Sequence, residues 1–473
     1  MFRCHHPFTA WGASRCAALM RSLCLVFLVV VLPSAEAKES AEEVSSNPDD
    51  STVRESGALE TFEEVWKLIQ PLQSDASSGE VDWDALRAEF RPRIKASESE
   101  DETRQLVQEM LDRLGRSHMY VIPGDTLKSL PGASDSAVPG SDDYPGDVGL
   151  EIRWTQGRAL VFRLVPGGSA QRAGVAWGWE IKKIDGLSVA SMVSELPDRM
   201  GKSYHELQAS LMVASLCEGP EGARIEIEFL NHRDQPVTLE LQCQRPTGQA
   251  AQIGWLPTYY SSLEARSFRP QKDVSVGLIR FNLWMVPILA QFDEAIDGLR
   301  DSDGIVLDLR GNTGGLVILI MRFAGHFMGK RMPLGTLTMQ DTQLQFFSFP
   351  QRINPHGKRV EPFSGPLAIL VDSVTASASE LFAASMQVQG RARVFGEQTP
   401  GAALPSMFDR LPNGDVLVHA IGDFILADGS RVEGKGVIPD ESIPLRRADL
   451  IAGRDQVMQA ALLWIQQQHS ANN

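Results

Sequence analysis

Two short segments of this 473-residue chain combine serine, glycine and acidic residues at spacings that suit nucleophilic catalysis. The first, TASASE at positions 375–380, follows an apolar run at 367–371 and precedes a helical pattern over 378–387. A serine at such a strand-to-helix turn can attack a carbonyl carbon while backbone N–H groups stabilise the oxyanion. Ser and Thr are also ordinary helix N-caps, so the residue types alone leave a capping role open.

The second segment is DLRGNTGG at positions 308–315, which follows the predicted strand 305–309. Its three glycines allow positive φ and close approach of the backbone, so its N–H groups could contribute to an oxyanion hole. The segment lacks the Gly-Lys-Ser/Thr of a P-loop and does not fit G-x-G-x-x-G, which argues against a phosphate site. A tight turn that allows a helix to pack on a sheet is the alternative.

The rest of the chain must position these two turns, and it divides into segments of different pattern. Apolar residues at helical spacing predict an N-terminal helical domain, and short apolar runs between Gly and Asp turns predict a β-rich module. Alternating strands and helices predict an α/β domain. We therefore predict a multidomain α+β protein divided into a signal peptide (1–37), a disordered linker (38–57), a helical domain (58–122), a linker (123–146), the β-rich module (147–245) and the α/β domain (246–473).

Charge and the N-terminus limit the compartment and the partners. Lys and Arg number 45 against 60 Asp and Glu, a formal net charge of −15, which argues against general binding to nucleic acid or anionic membranes. An apolar run at 23–32 follows three arginines and precedes the A-x-A pattern that ends at Ala37. That run is too short to span a bilayer, so we predict a secreted or periplasmic protein cleaved after Ala37, with an uncleaved anchor as the alternative.

Cys217 and Cys243 are the two cysteines that follow the predicted signal peptide. An exported chain permits a disulfide between them, and two buried thiols are equally consistent with the sequence. The spacings C-x-x-C and H-E-x-x-H are absent from the sequence, so we predict neither a metal site nor a cofactor.

Taken together, the two turns resemble the motifs D-L-R-x-N-x-G-G and S-A-S-A-S-E of the C-terminal processing (tail-specific) serine peptidases. GEQTPG at 396–401 and EGKGVIPD at 433–440 fit the same family in the same order. The resemblance implies a ClpP/crotonase-like catalytic domain in which Ser377 is the nucleophile and Ser379 its near rival. The implied oxyanion hole consists of backbone N–H groups at Gly314, Gly315 and Ala378.

One departure from the common family pattern concerns the base. Most of these peptidases place a lysine directly after the turn that corresponds to 396–401, and this chain has Ala402 there. The substitution leaves two interpretations from different classes: a peptidase with another base, or a non-catalytic peptide- or ligand-binding protein on the same scaffold.

A histidine near the N-terminus offers the other base. The sequence LGRSH at 114–118 resembles the tricorn-like branch of the family, which uses a Ser–His–Ser–Glu tetrad. The resemblance implies that His118 is the general base, Ser117 the bridging hydroxyl and Glu433 the carboxylate. An imidazole suits proton transfer near neutral pH. Asp440 and Glu397 remain alternatives for the carboxylate.

The β-rich module resembles a PDZ domain through VGLEI at 148–152 and PGGSA at 166–170. The resemblance implies that the module binds a free C-terminus by strand addition, with peptide-binding residues Val148, Gly149, Leu150 and Ile152. The leading hypothesis is a serine endopeptidase that cleaves protein or peptide substrates near their C-termini. A module that only packs, and an esterase-like hydrolase with small substrates, are further alternatives.

Overall fold

The computed structural model describes residues 50–74, 81–125, 145–197, 200–253, 256, 258–339 and 342–472. The predicted signal peptide and residues 38–49 of the predicted linker lie outside the described residues, as does the part of the second linker over 126–144. The first helix begins at Asp50, so residues 50–57 are helical where the sequence predicts a disordered linker. Once the packed turns of a helix have formed, each further residue at its N-terminus is added at little cost in free energy, which explains this difference.

The helical domain forms around an apolar stripe that the helical spacing predicts, with Phe62, Val65 and Ile69 fully buried. Asp82 and Ser99 cap the second and third helices, each accepting a backbone N–H three residues on. The elements are α1 (Asp50–Ile69), a 3₁₀ helix (Gln70–Ser74), α2 (Trp83–Lys95), α3 (Glu100–Asp112) and strand β1 (Tyr120–Ile122).

The β-rich module is a separate sheet with its own apolar core, in the strand order β3-β4-β5-β8-β9. Strand β3 is an edge strand of this sheet, and helix α6 packs against it. Cys217 and Cys243 are buried in the core as free thiols. The elements are β2 (Pro145–Asp147), β3 (Leu150–Thr155), β4 (Arg158–Leu164), α4 (Ser169–Arg172), β5 (Glu180–Ile184), β6 (Leu187–Ser188), α5 (Val189–Ser194), α6 (Lys202–Ser215), β7 (Glu218–Pro220), β8 (Arg224–Leu230) and β9 (Pro236–Gln242).

The α/β domain is organised on a six-stranded sheet of order β12-β13-β14-β17-β18-β22, parallel except for β12. Its central strands are apolar and buried on both faces, as expected of a parallel sheet. The elements are β10 (Gln249–Ala251), β11 (Tyr259–Ser261), β12 (Leu263–Gln271), β13 (Val274–Phe281), α7 (Ile288–Gly298), β14 (Gly304–Asp308), α8 (Leu319–Gly325), β15 (Pro333–Met339), β16 (Thr342–Phe347), β17 (Leu367–Val371), α9 (Ala378–Val388), β18 (Arg393–Gly396), β19 (Ser406–Arg410), β20 (Val416–Ala420), β21 (Asp423–Leu426), β22 (Glu441–Ser442), α10 (Arg447–Ile451) and α11 (Gln456–Asn472).

Strands β14 and β17 are neighbours in this sheet and run parallel, with Asp308 opposite Leu370. The two turns that the sequence analysis singles out leave the carboxyl ends of these strands, so they meet at one edge of the sheet. The mixed α/β multidomain architecture predicted from the sequence is confirmed.

The helical domain is joined to the α/β domain by paired strands and a shared core. Strand β1 pairs antiparallel with β20, Tyr120 opposite Val418. The apolar core of the helical domain includes side chains of the α/β domain, among them Leu404 and Leu417. The chain leaves α3 through Gly115, at φ 61°, and passes Ser117 before it enters β1. This route brings the LGRSH segment onto the α/β domain.

Candidate active site

The serine predicted as nucleophile stands at the N-cap position of helix α9. Ser377 has φ 60° and ψ −125°, a left-handed conformation that few non-glycine residues adopt. The residue is fully buried, and its Oγ has no hydrogen-bond partner among the described residues. A strained backbone is typical of functional serines. The Ser377 side chain is also directed toward the backbone of Glu380, the third residue of the helix, as in a capping box.

The rival serine has a structural partner. Trp284 Nε1 donates to Ser379 Oγ at 2.8 Å, and both side chains are buried. An indole N–H in an apolar core needs an acceptor, and the Ser379 hydroxyl supplies it. Ser379 therefore has a structural partner, whereas Ser377, which the family motif names as the nucleophile, has none for its Oγ among the described residues.

The glycine-rich turn lies directly against Ser377. A Cβ built on Gly314 would lie 2.6 Å from Ser377 Cβ and 3.0 Å from its Oγ, so the close approach of the two turns requires a glycine there. Gly314 has φ 106°, and Gly315 has φ 131°. The Gly314 N–H donates to Asn312 Oδ1 at 3.0 Å, so this predicted oxyanion donor is engaged in the present conformation.

Asn312 joins the two turns. Its side chain accepts from Gly314 N and donates to Phe281 O at 2.9 Å, and its carbonyl accepts from Ala376 N at 3.0 Å. Asn312 is fully buried, so all of these bonds are shielded from water. The residue fixes the spacing between the glycine-rich turn and the nucleophile turn.

A continuous hydrogen-bonded chain links Glu433 to His118. Ser117 Oγ donates to Glu433 Oε2 at 2.9 Å and lies 2.7 Å from His118 Nδ1, while Ser117 N donates to Glu433 Oε1 at 2.9 Å. A hydroxyl has one proton, and Ser117 gives it to the carboxylate. The proton between Ser117 and His118 therefore belongs to Nδ1, which leaves Nε2 as the basic nitrogen of the ring.

The Glu433 carboxylate also accepts from Ala403 N at 2.8 Å. Burial raises the pKa of this carboxyl to about 7, against the lowering effect of the hydrogen bonds from Ser117 and Ala403. A group with this pKa titrates in the neutral range, where a change in its charge alters the tautomer that Ser117 imposes on His118.

The two alternative carboxylates have other partners. Asp440 accepts a hydrogen bond from the N–H of Val394, in strand β18, at 2.7 Å. Glu397 accepts a hydrogen bond from Leu445 N at 2.9 Å. Of the three carboxylates considered in the sequence, Glu433 is the one hydrogen-bonded to Ser117.

Ala402 occupies the position where the common family pattern has lysine. It lies between the contacts of Ser377 and those of Glu433. Its carbonyl accepts from Ser377 N at 2.9 Å, and the next residue, Ala403, donates to Glu433. The Ala402 side chain is fully buried in an apolar cluster that includes Leu207 and Leu211 of helix α6. The side chain at 402 therefore lies in apolar surroundings, where an ionised lysine would be costly without a polar partner.

Three of the four predicted peptide-binding residues line one cavity. Gly149, Leu150 and Ile152 face a space of about 760 Å³ between the β-rich module and the α/β domain. Val148 is fully buried in the core of the module. The Gly149 N–H donates to Asp147 Oδ1 at 2.7 Å, so a backbone donor of the predicted carboxylate-binding loop already holds a carboxylate.

The structure adds two residues that the sequence analysis did not assign a role. Glu380 is fully buried beside Ser377, and Asn312 bridges the two turns. Glu380 had a signal in the sequence, because Ser377 and Glu380 form the S-x-x-E spacing of a capping box. Asn312 is the asparagine of the D-L-R-x-N-x-G-G motif, but the motif does not show that Asn312 bonds the end of β13 and the nucleophile turn.

Comparisons with known proteins find similarity over two parts of the chain and over most of its length. Residues 275–443 match the model of peptidase family S41, and residues 58–112 match the tricorn protease C1 domain. A carboxyl-terminal-processing protease of Picosynechococcus sp. is 23% identical over 385 residues, covering 80% of this chain and 82% of that protein. The corresponding protease of Synechocystis sp. is 24% identical over 407 residues, covering 84% of each chain.

The fold is also similar to a solved structure. A photosystem II D1 C-terminal processing protease aligns with a TM-score of 0.54 at 21% identity, covering 84% of this chain and 96% of the other. At this identity the likeness concerns the fold. Among the residues that the structure describes, none of the helices combines the length and apolarity needed to cross a membrane.

Proposed function

This chain belongs to peptidase family S41 and is a serine peptidase, and we propose that it is an exported endopeptidase that cleaves proteins near their C-termini with a Ser–His–Ser–Glu catalytic set. Ser377 is the nucleophile, His118 the general base, Ser117 the bridging hydroxyl and Glu433 the carboxylate. The observation that carries this assignment is the hydrogen-bonded chain from Glu433 through Ser117 to His118 Nδ1.

The reaction follows the usual order of covalent catalysis by serine. Ser377 Oγ attacks the peptide carbonyl carbon while His118 Nε2 takes the hydroxyl proton. The imidazolium then returns this proton to the leaving amine, the C–N bond breaks and an acyl-enzyme remains. A water molecule, deprotonated by the same ring, hydrolyses the ester and restores Ser377. Glu433 stabilises the imidazolium through Ser117.

The oxyanion is assigned to backbone donors on both turns. The Ala378 N–H opens helix α9, where the first N–H groups have no partner within the helix and the dipole favours negative charge. Gly315 supplies the second donor from the glycine-rich turn. The Gly314 N–H joins them only if Asn312 releases it, because Asn312 Oδ1 accepts that proton in the present conformation.

Ser377 and His118 are exposed by 0% and 2%, so a peptide can reach them only after a local opening.

We assign the β-rich module as a PDZ-like domain that presents the edge of β3 to a substrate C-terminus. The cavity at Gly149, Leu150 and Ile152 gives the peptide space beside that edge. The acidic net charge argues against nucleic-acid partners, and the predicted signal peptide supports substrates outside the cytoplasm.

Labelling of the purified chain, starting at Lys38, with a fluorophosphonate probe tests the proposal. We expect covalent labelling of the wild type, none in Ser377→Ala, and a reduction of about 10³-fold or more in His118→Ala. Ser379→Ala is the matched control and should label, because its hydroxyl holds Trp284 instead of reacting. Absence of labelling in folded wild type between pH 6 and pH 9, with a peptide substrate present to open the site, would contradict the proposal.

A further inference from the structure

We propose that Glu380 is a positioning residue for the nucleophile: its carboxylate ties the backbone of Ser377 to the segment 399–402 and so fixes the strained conformation that presents Ser377 Oγ. This inference rests on the proposed function for its catalytic consequence. The hydrogen-bond geometry on which it depends is independent of that function.

Glu380 has an unusual number of donors for a carboxylate in a protein core. Oε2 accepts from Ser377 N at 3.0 Å and from Ala402 N at 3.0 Å. Oε1 accepts from Gly401 N at 2.7 Å and from the hydroxyl of Thr399. The Thr399 Oγ1 itself accepts from Val437 N at 2.7 Å, so its proton is directed to Glu380. All donors to the carboxylate are thereby oriented toward a fully buried side chain.

An ordinary capping box would explain only one of these four bonds. In a capping box the glutamate at the third helical position accepts from the N-cap N–H, and here that is the bond to Ser377 N. The other three donors belong to a segment about twenty residues further along the chain, at the place where the common family pattern has its lysine. Glu380 therefore clamps two separate segments, of which one carries the proposed nucleophile.

The conformation at Ser377 shows why such a clamp is needed. A non-glycine residue at φ 60° and ψ −125° costs of order 1–3 kcal/mol and persists only when its surroundings over-determine it. Two bonds act on the Ser377 backbone N–H, one to Glu380 Oε2 at 3.0 Å and one to Ala402 O at 2.9 Å. Glu380 also holds Ala402, so it supports both acceptors of that N–H.

The burial of Glu380 raises its pKa to about 7, against the lowering effect of the hydrogen bonds that it accepts. Each donor faces an oxygen in the ionised form, whereas a protonated carboxyl must direct its own hydrogen at one of them. The clamp is therefore complete only in the ionised form.

The test compares Glu380→Asp, Glu380→Gln and Glu397→Gln. Glu380→Asp keeps the charge but withdraws the carboxylate by about 1.5 Å, one C–C bond. Glu397→Gln is the matched control, because Glu397 is also a largely buried carboxyl whose pKa burial raises to about 7, and it accepts from Leu445 N instead of the nucleophile turn. Circular dichroism and melting curves establish that each variant is folded before any comparison.

Two measurements are made on each folded variant. The first is the second-order rate constant of fluorophosphonate labelling, with KM for a peptide substrate beside it. We expect Glu380→Asp to lower the labelling rate at least 100-fold with KM changed less than threefold, since a displacement of about 1 Å at the reacting atom costs this much. Glu397→Gln should stay within twofold of the wild type in both.

The second measurement is hydrogen exchange over 375–381 and 400–404, which does not depend on activity. We expect at least tenfold faster exchange at these segments in Glu380→Asp and no change in Glu397→Gln. If Glu380→Asp fails to fold, Glu380→Gln takes its place. A glutamine offers one acceptor oxygen to four donors, so it should still lower the labelling rate about tenfold and speed exchange on one of the two segments.

The outcomes separate this inference from the proposed function. A folded Glu380→Asp that labels within threefold of wild type and keeps its exchange protection overturns the inference, whatever Ser377→Ala shows. A wild type that does not label, together with faster exchange in Glu380→Asp, supports the clamp and contradicts the peptidase assignment. A loss of labelling shared equally by Glu397→Gln also overturns the inference, because the effect would then be general destabilisation.

Discussion

The α/β domain holds two other units, and it holds them by different kinds of contact. The helical domain shares an apolar core with it, pairs β1 with β20, and adds the ion pair between Arg104 and Asp415, whose atoms Nε and Oδ2 lie 2.7 Å apart. Asp415 also accepts from Gly124 N, directly after β1. Apolar packing and strand pairing together make this a permanent interface.

The β-rich module rests on the α/β domain mainly through charged side chains. Arg153 donates to Asp372 at 2.7 Å, Arg163 to Asp308 at 2.6 Å, and Arg280 of the α/β domain to Glu151 at 2.6 Å. The apolar contacts form two small clusters, one at the nucleophile turn and one in which Leu160 and Phe162 pack against Leu450 of α10. The cavity of about 760 Å³ lies in the same interface. Polar interfaces within a chain resemble those of transient complexes and separate more readily.

The difference shows which parts of the proposed mechanism need a fixed position. The proposed base lies in the segment that joins the helical domain to β1, so the position of His118 depends on the apolar interface. The cavity proposed for the substrate C-terminus belongs to the polar interface. A base must be held to within a fraction of an ångström, whereas a peptide-binding module must admit and release its ligand.

The largest expected effect comes from removing the charge of Glu433, which accepts a hydrogen bond from Ser117 across the apolar interface. In Glu433→Gln the charge that stabilises the His118 imidazolium is lost, and the amide cannot accept from all three of its donors. We expect kcat/KM to fall about 10⁴-fold, the scale at which a neutralised orienting carboxylate affects serine peptidases. Asp440→Asn, a change at the carboxylate bound to Val394 N, is the control and should remain within twofold. Equal losses in both variants would contradict the assignment of Glu433.

A smaller effect is expected when one ion pair is removed at each interface. Arg153→Met leaves the buried Asp372 without its charged partner, and such a loss costs about 3 kcal/mol. Because the remaining ion pairs of the β-rich module, such as those of Arg163 and Arg280, are partly exposed, we expect hydrogen exchange in α6 and at Val374 to accelerate. In Arg104→Met the helical domain should stay docked, with exchange in β1 nearly unchanged. Undocking of the helical domain in Arg104→Met, seen as rapid exchange in β1, would remove the distinction between the interfaces.

The pH dependence of activity tests whether the base side works as proposed. Ionised Glu433 accepts a hydrogen bond from the Ser117 hydroxyl, so Nδ1 of His118 keeps its proton and Nε2 stays basic. Burial raises the pKa of Glu433 to about 7. Protonation on the acid side lets Ser117 donate to His118 instead. Glu380 must also be ionised to hold the Ser377 backbone, and burial raises its pKa to about 7 as well. We therefore expect kcat/KM to rise more than tenfold per pH unit below 7, up to about 100-fold, and to level above it. A flat profile of kcat/KM between pH 5.5 and pH 8 would be incompatible with this role.

The smallest effect is expected from salt. Raising NaCl from 0.05 M to 1 M screens the charged contacts of the β-rich module, although their partial burial limits the change. We expect hydrogen exchange to accelerate a few-fold at α6 and to stay constant at β1. The opposite order, faster exchange at β1 with α6 unchanged, would show that the two interfaces have been assigned the wrong character.

The sequence by itself determined the residue types and the elements that carry them. The apolar runs at 305–309 and 367–371 became the adjacent strands β14 and β17, because buried parallel strands need uninterrupted apolar side chains. The glycines of the turn 308–315 and the alanine at 402 could likewise be interpreted from local pattern and motif. These signals are local, and local signals survive in a linear sequence.

The tertiary structure decided which of these residues meet. Ser117 and Glu433 are 316 positions apart in the sequence. They come into contact because β1, which follows Ser117, pairs with β20, which precedes Glu433. Ser379 accepts a hydrogen bond from Trp284, which lies after β13 and far from Ser379 in the sequence. The Gly314 N–H is occupied because Asn312 Oδ1 accepts it in the folded conformation. Hydrogen bonds between distant segments have no periodicity or spacing in the chain. The family resemblance named Glu433 with Asp440 and Glu397 as alternatives, and the folded arrangement alone gives the partners of Ser379 and Glu380.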